Sequence, residues 1–347
     1  MAGEPTTISS QIGRLNMEGN EKKRHHYVPI CYLRPFCNDR EMLFVFPQDG
    51  DAEPFEIKPE NIAFEKYYYS QPLPDGGRDN NAIEDTFSKI EAEWTPLLNR
   101  WRSADTTPDK LLSVFEFIML MRMRVPAMRD AVEAMLAEEV KSTTRVMHKF
   151  GQLPPLPPEH PDLLDQIQVT IDPHRSIIAM QSLAKGMGIL LDRLGLEIVL
   201  NHTGIPLITS DNPVSYFDPD EREENLKPYT VASGSQVELL LPVAPDLILR
   251  GHSKIRASFG AIGLRFRKTT NRREIRRYNR ITARFAYRFA FAQDMQSNSV
   301  IRAHSARSPI LNVEVIPTAA GELIYHSNVF GMRPPKPKWT GAGKIDT

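Results

Sequence analysis

The sequence is poor in cysteine: Cys31 and Cys37 are its only two, too few for a disulfide framework and in keeping with a reducing compartment. No apolar run is long enough to span a bilayer, and the opening MAGEPTTISSQIGRLNMEGNEKKR holds no hydrophobic stretch of the secretory type. The expectation is a cytoplasmic protein without a membrane partner. Three chemical signatures are also missing: a Gly-x-x-x-x-Gly-Lys phosphate loop, a Gly-x-Ser-x-Gly elbow and a Gly-x-Gly-x-x-Gly fingerprint. Nucleotide-cofactor and serine-hydrolase chemistry lose support accordingly. The most informative scarcity is local. The chain carries 43 Lys/Arg and 43 Asp/Glu, yet between Arg250 and Arg288 thirteen Lys/Arg face a single acid, Glu274. Clustered cations of this kind point to phosphate or another polyanion as partner, because binding neutralises charge and releases counterions.

What is present reads as a globular chain. With 347 residues, of which 41% are hydrophobic, it can bury a sizeable core as one large composite domain. Residues 1–22 read as a disordered arm, 23–330 as the domain and 331–347 as a tail. Two apolar runs, Met42 to Phe46 and Pro54 to Ile57, flank the turn-forming Gln48-Asp49-Gly50-Asp51 and predict a hairpin. Ile83, Phe87, Ile90, Trp94, Leu97, Leu98 and Trp101 recur at helical spacing. A second helical run starts after Thr106-Thr107-Pro108-Asp109 and extends to about residue 150, with Pro126 expected to break it. The proline-rich 151–161 stretch reads as a linker. A helix over about 174–194 should bury Ile177, Ile178, Leu183, Met187, Leu190 and Leu191.

Strands are expected beyond it: a hairpin of Leu196 to Leu200 with Pro206 to Ser210, then Val237 to Leu241, Leu247 to Leu249, Ala261 to Phe266 and Leu311 to Ile316. A basic helix is expected over about 271–292. Helices mostly precede strands, which predicts an α+β fold with an N-terminal hairpin, a helical middle, and C-terminal antiparallel strands.

Three groups of residues are candidates for chemistry. On the basic helix Arg273, Arg277, Arg280, Arg284 and Arg288 share one face, and Ile275, Tyr278, Ile281, Phe285 and Phe289 form the other. Guanidinium groups suit phosphate because their planar fork bonds it bidentately. Carboxylates elsewhere in the fold are the competing partners. In Arg24-His25-His26-Tyr27-Val28-Pro29 the imidazoles suit a metal or a general base, although adjacent strand residues point to opposite faces. With Cys31 and Cys37 they reach the ligand count of zinc, but not the spacing of a zinc motif. In Thr209-Ser210-Asp211-Asn212-Pro213 a carboxylate stands just past a strand end, where it can hold a metal or orient a histidine, in a string that equally forms a turn.

HHYVPICYLRPF, ITSDNPV and YNRITARFAYR together resemble the bacterial family catalogued as domain of unknown function 4238. The resembling positions are His25, His26, Tyr27, Val28, Pro29, Tyr32, Leu33, Arg34, Thr209, Ser210, Asp211, Asn212 and Pro213, with Asn279 and Arg284 in the late segment, over about 24–292. Residue 30 is Ile where the family pattern has Gln, and the two cysteines fall outside the pattern. The resemblance implies that the three segments belong together and converge in space.

The leading expectation is metal-assisted hydrolysis of nucleic acid, in the manner of a bacterial defence or toxin-like effector. His25, His26, Asp211 and Asn212 would be catalytic, a divalent metal ion would sit on His26, Asp211 and Glu91 with Glu84 in reserve, and Arg34, Arg273, Arg277, Arg280 and Arg284 would bind the backbone. The alternative is a non-enzymatic protein that binds nucleic acid or an acidic partner, with the His/Asp cluster structural. A scaffold whose arginines are neutralised internally is the third reading.

Overall fold

The computed structural model describes residues 22–337 and 339, apart from 50–51, 74–76, 106–110 and 319–320; the side chains of 179–185 are also outside the description. The N-terminal part runs β1 (Arg24–His26), α1 (Ile30–Leu33), β2 (Leu43–Pro47), β3 (Phe55–Ile57), β4 (Phe64–Lys66), β5 (Gln71–Pro72) and β6 (Arg78–Asp79). The helical middle follows with α2 (Ala82–Ala92), α3 (Trp94–Arg102), α4 (Leu111–Met123), α5 (Pro126–Lys149), α6 (Leu163–Gln166) and α7 (Pro173–Asp192). The remainder comprises β7 (Gly195–Asn201), β8 (Thr209–Ser210), β9 (Ser215–Phe217), β10 (Glu238–Ala244), β11 (Leu247–His252), α8 (Arg256–Ile262), β12 (Arg265–Thr269), α9 (Arg272–Phe285), β13 (Phe289–Ala292), α10 (Asn298–Arg302), β14 (Ser308–Thr318) and β15 (Gly321–Gly331). The fold is α+β, with mixed helices and mainly antiparallel sheets.

The helices start and stop where local chemistry demands. Pro126 opens α5 at its first turn, where its missing N–H costs nothing. Asp172 caps α7 by accepting the His174 N–H at 2.9 Å, and Asn271 caps α9 by accepting the Arg273 N–H at 3.0 Å. Helix α4 is apolar around most of its circumference and lies inside the core. There Phe117 stacks on Trp94, with ring centres 3.7 Å apart, and Trp94 meets Trp101 edge-on.

A five-stranded sheet in the order β12-β7-β11-β10-β9 divides two cores; β12 is parallel to β7 and the other pairings are antiparallel. Alternation along the strands decides which side chain faces which core. Leu196, Ile198, Leu239, Leu241 and Leu249 join the large core shared with the helical middle. Val199, Leu240 and Ile248 join a second core under α9, formed with Ile275, Tyr278, Ile281 and Phe285. A four-stranded sheet, β3-β2-β13-β8, ties the N-terminal hairpin to the C-terminal part. Among the described residues no helix is long and apolar enough to cross a membrane.

Several expectations are corrected. Residues 196–210 are not a hairpin: β7 pairs with β11 and β12, whereas β8 pairs with β13 in the other sheet. The Asn201 amide redirects the chain between them by donating to the carbonyls of Ile205 and Pro245. Residues 256–262 form α8, so the strand expected from Ala261 begins only at Arg265. The basic helix ends at Phe285, and Phe289–Ala292 is strand β13, which places Arg288 and Phe289 off the helix. Ile178 is 61% exposed rather than buried. In the tail Lys336 is tied to Asp130 at 2.6 Å and to Glu133 at 2.7 Å. The arm up to residue 21, the turn residues Gly50 and Asp51, the Thr106 to Asp109 signal, the Leu183 side chain and the tail from 340 lie outside the described residues.

Candidate functional site

Both histidines are held by their own neighbourhood. His25 is fully buried; its Nδ1 accepts the Tyr69 main-chain N–H at 2.9 Å, so the ring proton sits on Nε2 and is donated to the Lys22 carbonyl at 2.9 Å. The ring lies flat against Tyr69, with centres 5.7 Å apart. Burial lowers the pKa of His25 and of His26, which favours the neutral imidazoles. His26 leans on Phe64, and its buried Nε2 has no hydrogen-bond partner among the described residues. Its main-chain carbonyl accepts from Arg124, whose Nη1 also meets Glu91 Oε1 at 2.5 Å. Arg124 thus joins Glu91, an expected metal ligand, to the main chain of His26, and the His26 imidazole takes no part. Among the described residues no group of three or more His, Cys, Asp or Glu is arranged to hold a metal. Glu84, the reserve ligand, lies near the same arginine; burial and the Glu91 charge push its pKa up to about 7 against the pull of Arg124. Cys31 and Cys37 have separate neighbours, the carbonyls of Glu91 and Leu33.

Asp211 is likewise committed to the backbone. Its Oδ1 accepts the Tyr287 N–H at 2.9 Å and its Oδ2 the Arg288 N–H at 2.8 Å, while its own N–H bonds the Phe289 carbonyl. These bonds turn the chain out of α9 and into β13. The carboxylate is fully buried, and that burial pushes its pKa up to about 6. Asn212 donates from Nδ2 to the Phe285 carbonyl at 2.7 Å and to the Tyr229 hydroxyl at 2.6 Å.

The three motif segments meet, though not through the histidines. The buried Tyr27 lies near Arg288 and Asp211. The Tyr32 hydroxyl lies 2.6 Å from Thr209 Oγ1 and donates to the Pro242 carbonyl at 2.5 Å. Asn279 on α9 donates to the Pro206 carbonyl and accepts the Ile208 N–H. The segments meet as a clasp of buried tyrosine, asparagine and aspartate bonds, and the expected pairing of a His25 or His26 imidazole with Asp211 is not made.

The arginine face borders a cleft of about 680 Å³ whose walls include Arg250, Lys254, Arg273, Arg277 and Arg280 against Asp220, Glu238 and Glu274. Its floor is neutralised from within. Glu238, on β10, accepts from Arg250 at 2.6 Å and from Arg277 at 2.8 Å. Burial works to raise its pKa, but these two guanidiniums hold it below the usual carboxylate value. Glu197 receives Arg250 at 2.7 Å. Glu274 receives Arg267, Thr269 and Tyr278 at 2.7, 2.6 and 2.6 Å, which together outweigh burial and bring its pKa down to about 2. Arg280 meets both oxygens of Glu223, and Arg284 bonds the Glu223 carbonyl and covers Phe330.

The rim differs from the floor. Arg273 makes no side-chain hydrogen bond or ion pair among the described residues, and Lys254 has only the exposed Asp220 at 3.8 Å. Arg34 does not line the cleft; it is exposed and bonds Glu60 at 3.4 Å. Internal neutralisation therefore accounts for Arg250, Arg267, Arg277 and Arg280 and leaves Arg273 and Lys254 at the rim.

Sequence reasoning missed Glu197, Glu238, Arg122 and Arg124. A signal existed: each is a charged residue inside an apolar run, LEIVL, VELLL or IMLMRMR, and such charges survive burial only when paired. Comparison with curated proteins and with solved structures found no match. The chain belongs to the family described as protein of unknown function (DUF4238), whose model matches residues 24–296.

Proposed function

We propose that this protein binds nucleic acid through the cleft beside α9, as a binding protein whose His/Asp cluster is structural. The supporting observation is the division of charge in the cleft. Its deep arginines are fixed by Glu197 and Glu238, while Arg273 and Lys254 at the rim keep their charge available. A rigid, internally braced floor under a free cationic rim attracts phosphates without itself needing a ligand to fold. Asn271 and Arg273 at the start of α9 line the same cleft, so the positive end of the helix dipole lies at its wall. The hydrolytic reading draws no support from the contacts: both His25 nitrogens and both Asp211 oxygens are engaged with main-chain groups.

The experiment is fluorescence anisotropy of a labelled oligonucleotide titrated at several salt concentrations. The wild type should bind at low salt, and the Arg273→Gln/Lys254→Gln double variant should lower the slope of log affinity against log salt by about two, with an unchanged melting temperature. Absence of wild-type binding at low salt, where electrostatic attraction is strongest, rejects the reading.

A further inference from the structure

Three arginines of the α4–α5 region are buried, and one differs from the other two. Arg124 contacts Glu91 at 2.5 Å, and Arg129 contacts Glu133 at 3.3 Å. Arg122, 6% exposed, has no carboxylate partner among the described residues, and its Nη1 is buried without any hydrogen bond. Its guanidinium lies over the Tyr229 ring, 3.8 Å from the centre. A ring face attracts a cation but offers no acceptor for its N–H groups. A guanidinium does not escape by losing a proton, so a buried one calls for an anion.

A second orphan adjoins the same tyrosine. Asn212 Oδ1 is buried and has no partner among the described residues. Flipping the amide does not help, because the Phe285 carbonyl accepts from Nδ2 and requires the nitrogen there. The Asn212 amide also donates to the Tyr229 hydroxyl, which leaves the hydroxyl proton of Tyr229 free to donate elsewhere. Tyr229 is held at φ +54°, a left-handed conformation that is costly for an aromatic residue. Its N–H is bonded to the Tyr216 carbonyl at 3.1 Å, and the two rings, both partly exposed, lie 5.0 Å apart at the edge of the site.

We propose that Arg122, Asn212 and Tyr229 form a binding site for a protonated phosphate, either the free ion or a monoester. The unmet groups comprise a cationic donor, a neutral donor and one acceptor. Ionised carboxylate and sulfate present acceptors only and leave Asn212 Oδ1 unpaired, whereas a phosphate that keeps one P–OH satisfies all three groups. Leaving a buried acceptor unpaired is the kind of penalty that separates close analogues. None of the three residues lines the basic cleft, so this inference stands independently of nucleic-acid binding there.

The test compares inorganic phosphate with sulfate at equal ionic strength, by calorimetric titration and by thermal melting of the full chain. Phosphate should raise the melting temperature by about 2 °C or more at saturating concentration, and sulfate should not. Arg122→Met should abolish the phosphate shift, and Arg273→Gln/Lys254→Gln should retain it, which separates this site from the cleft. A nucleoside 5′-monophosphate in a parallel titration distinguishes a monoester from the free ion by the tighter of the two affinities. Equal shifts with sulfate and phosphate, no wild-type binding of either phosphate, or a shift that persists in Arg122→Met would each overturn the proposal. The wild-type discrimination between the two anions decides the matter even where the variant does not fold.

Discussion

Arg124 and Glu91 form an ion pair at 2.5 Å between α2 and the end of α4, with the Arg124 side chain 1% and the Glu91 side chain 24% exposed. The same guanidinium holds the His26 carbonyl and lies over Phe87. Removing either charge leaves the other without its partner. Glu91→Gln and Arg124→Met should each lose about 3 kcal/mol in urea denaturation, the usual scale for breaking a buried pair from one side. Since a guanidinium occupies the junction, chelation by EDTA should leave the wild-type melting curve unchanged. A chelator-induced drop in melting temperature would contradict this account of the junction.

Beside that pair, Glu84 supplies a pH prediction. Its folded pKa of about 7 lies above the ordinary value of 4.5 because burial penalises its charge. The folded state therefore holds this proton where the unfolded chain has released it. The resulting stabilisation is complete below pH 4.5 and is lost as pH rises through about 7. Glu84→Gln, which keeps the neutral form at every pH, should gain stability relative to wild type across that interval. A constant difference between the two proteins from pH 4.5 to 7 would refute the assignment.

Asp211 is expected to matter for the fold. In Asp211→Asn one acceptor becomes an amide NH₂ facing the N–H of Tyr287 or Arg288, at a cost of about 1–3 kcal/mol. Hydrogen exchange at those two amides should accelerate more than at the centre of α9. A variant with wild-type stability and unchanged exchange would show that the two bonds are dispensable.

Glu238 separates the floor of the cleft from its rim. Glu238→Gln releases Arg250 and Arg277 from their shared carboxylate, so stability should fall by about 3 kcal/mol. Oligonucleotide affinity at low salt should nevertheless rise, because Arg277 loses its internal counter-charge while Arg250 keeps Glu197. Arg273→Gln should do the reverse, lowering affinity with stability nearly constant. Parallel loss of affinity and stability in both variants would favour internal neutralisation of the whole arginine face.

Much of the architecture was legible in local pattern. Period-3.6 stripes marked α2, α3 and α7, and Pro126 marked the break before α5, because these features act within a turn or two of helix. The boundary at Phe285 was not legible. Arg284, Arg288 and Phe289 continue the helical spacing, and only the Asp211 carboxylate, capturing two N–H groups from 76 and 77 residues away, ends the helix and turns the chain into β13. The 196–210 hairpin failed for a related reason: strand propensity identifies a strand, while its partner is chosen by long-range packing.

By itself the sequence determined the α+β class and the basic concentration from Arg250 to Arg288, since composition and periodicity are properties of the chain, while the grouping of its three motifs came from the family resemblance. Tertiary structure alone decided what the charged residues do. Whether an arginine is available depends on the carboxylate that packs beside it. Glu197 and Glu238 reach Arg250 from 53 and 12 residues away, Arg124 takes the place between His26 and Glu91, and Arg122 is left with a ring face and, among the described residues, no anion. Folding places opposite charges side by side, and the energy of a buried charge depends on that neighbour far more than on the residues adjacent to it in the chain.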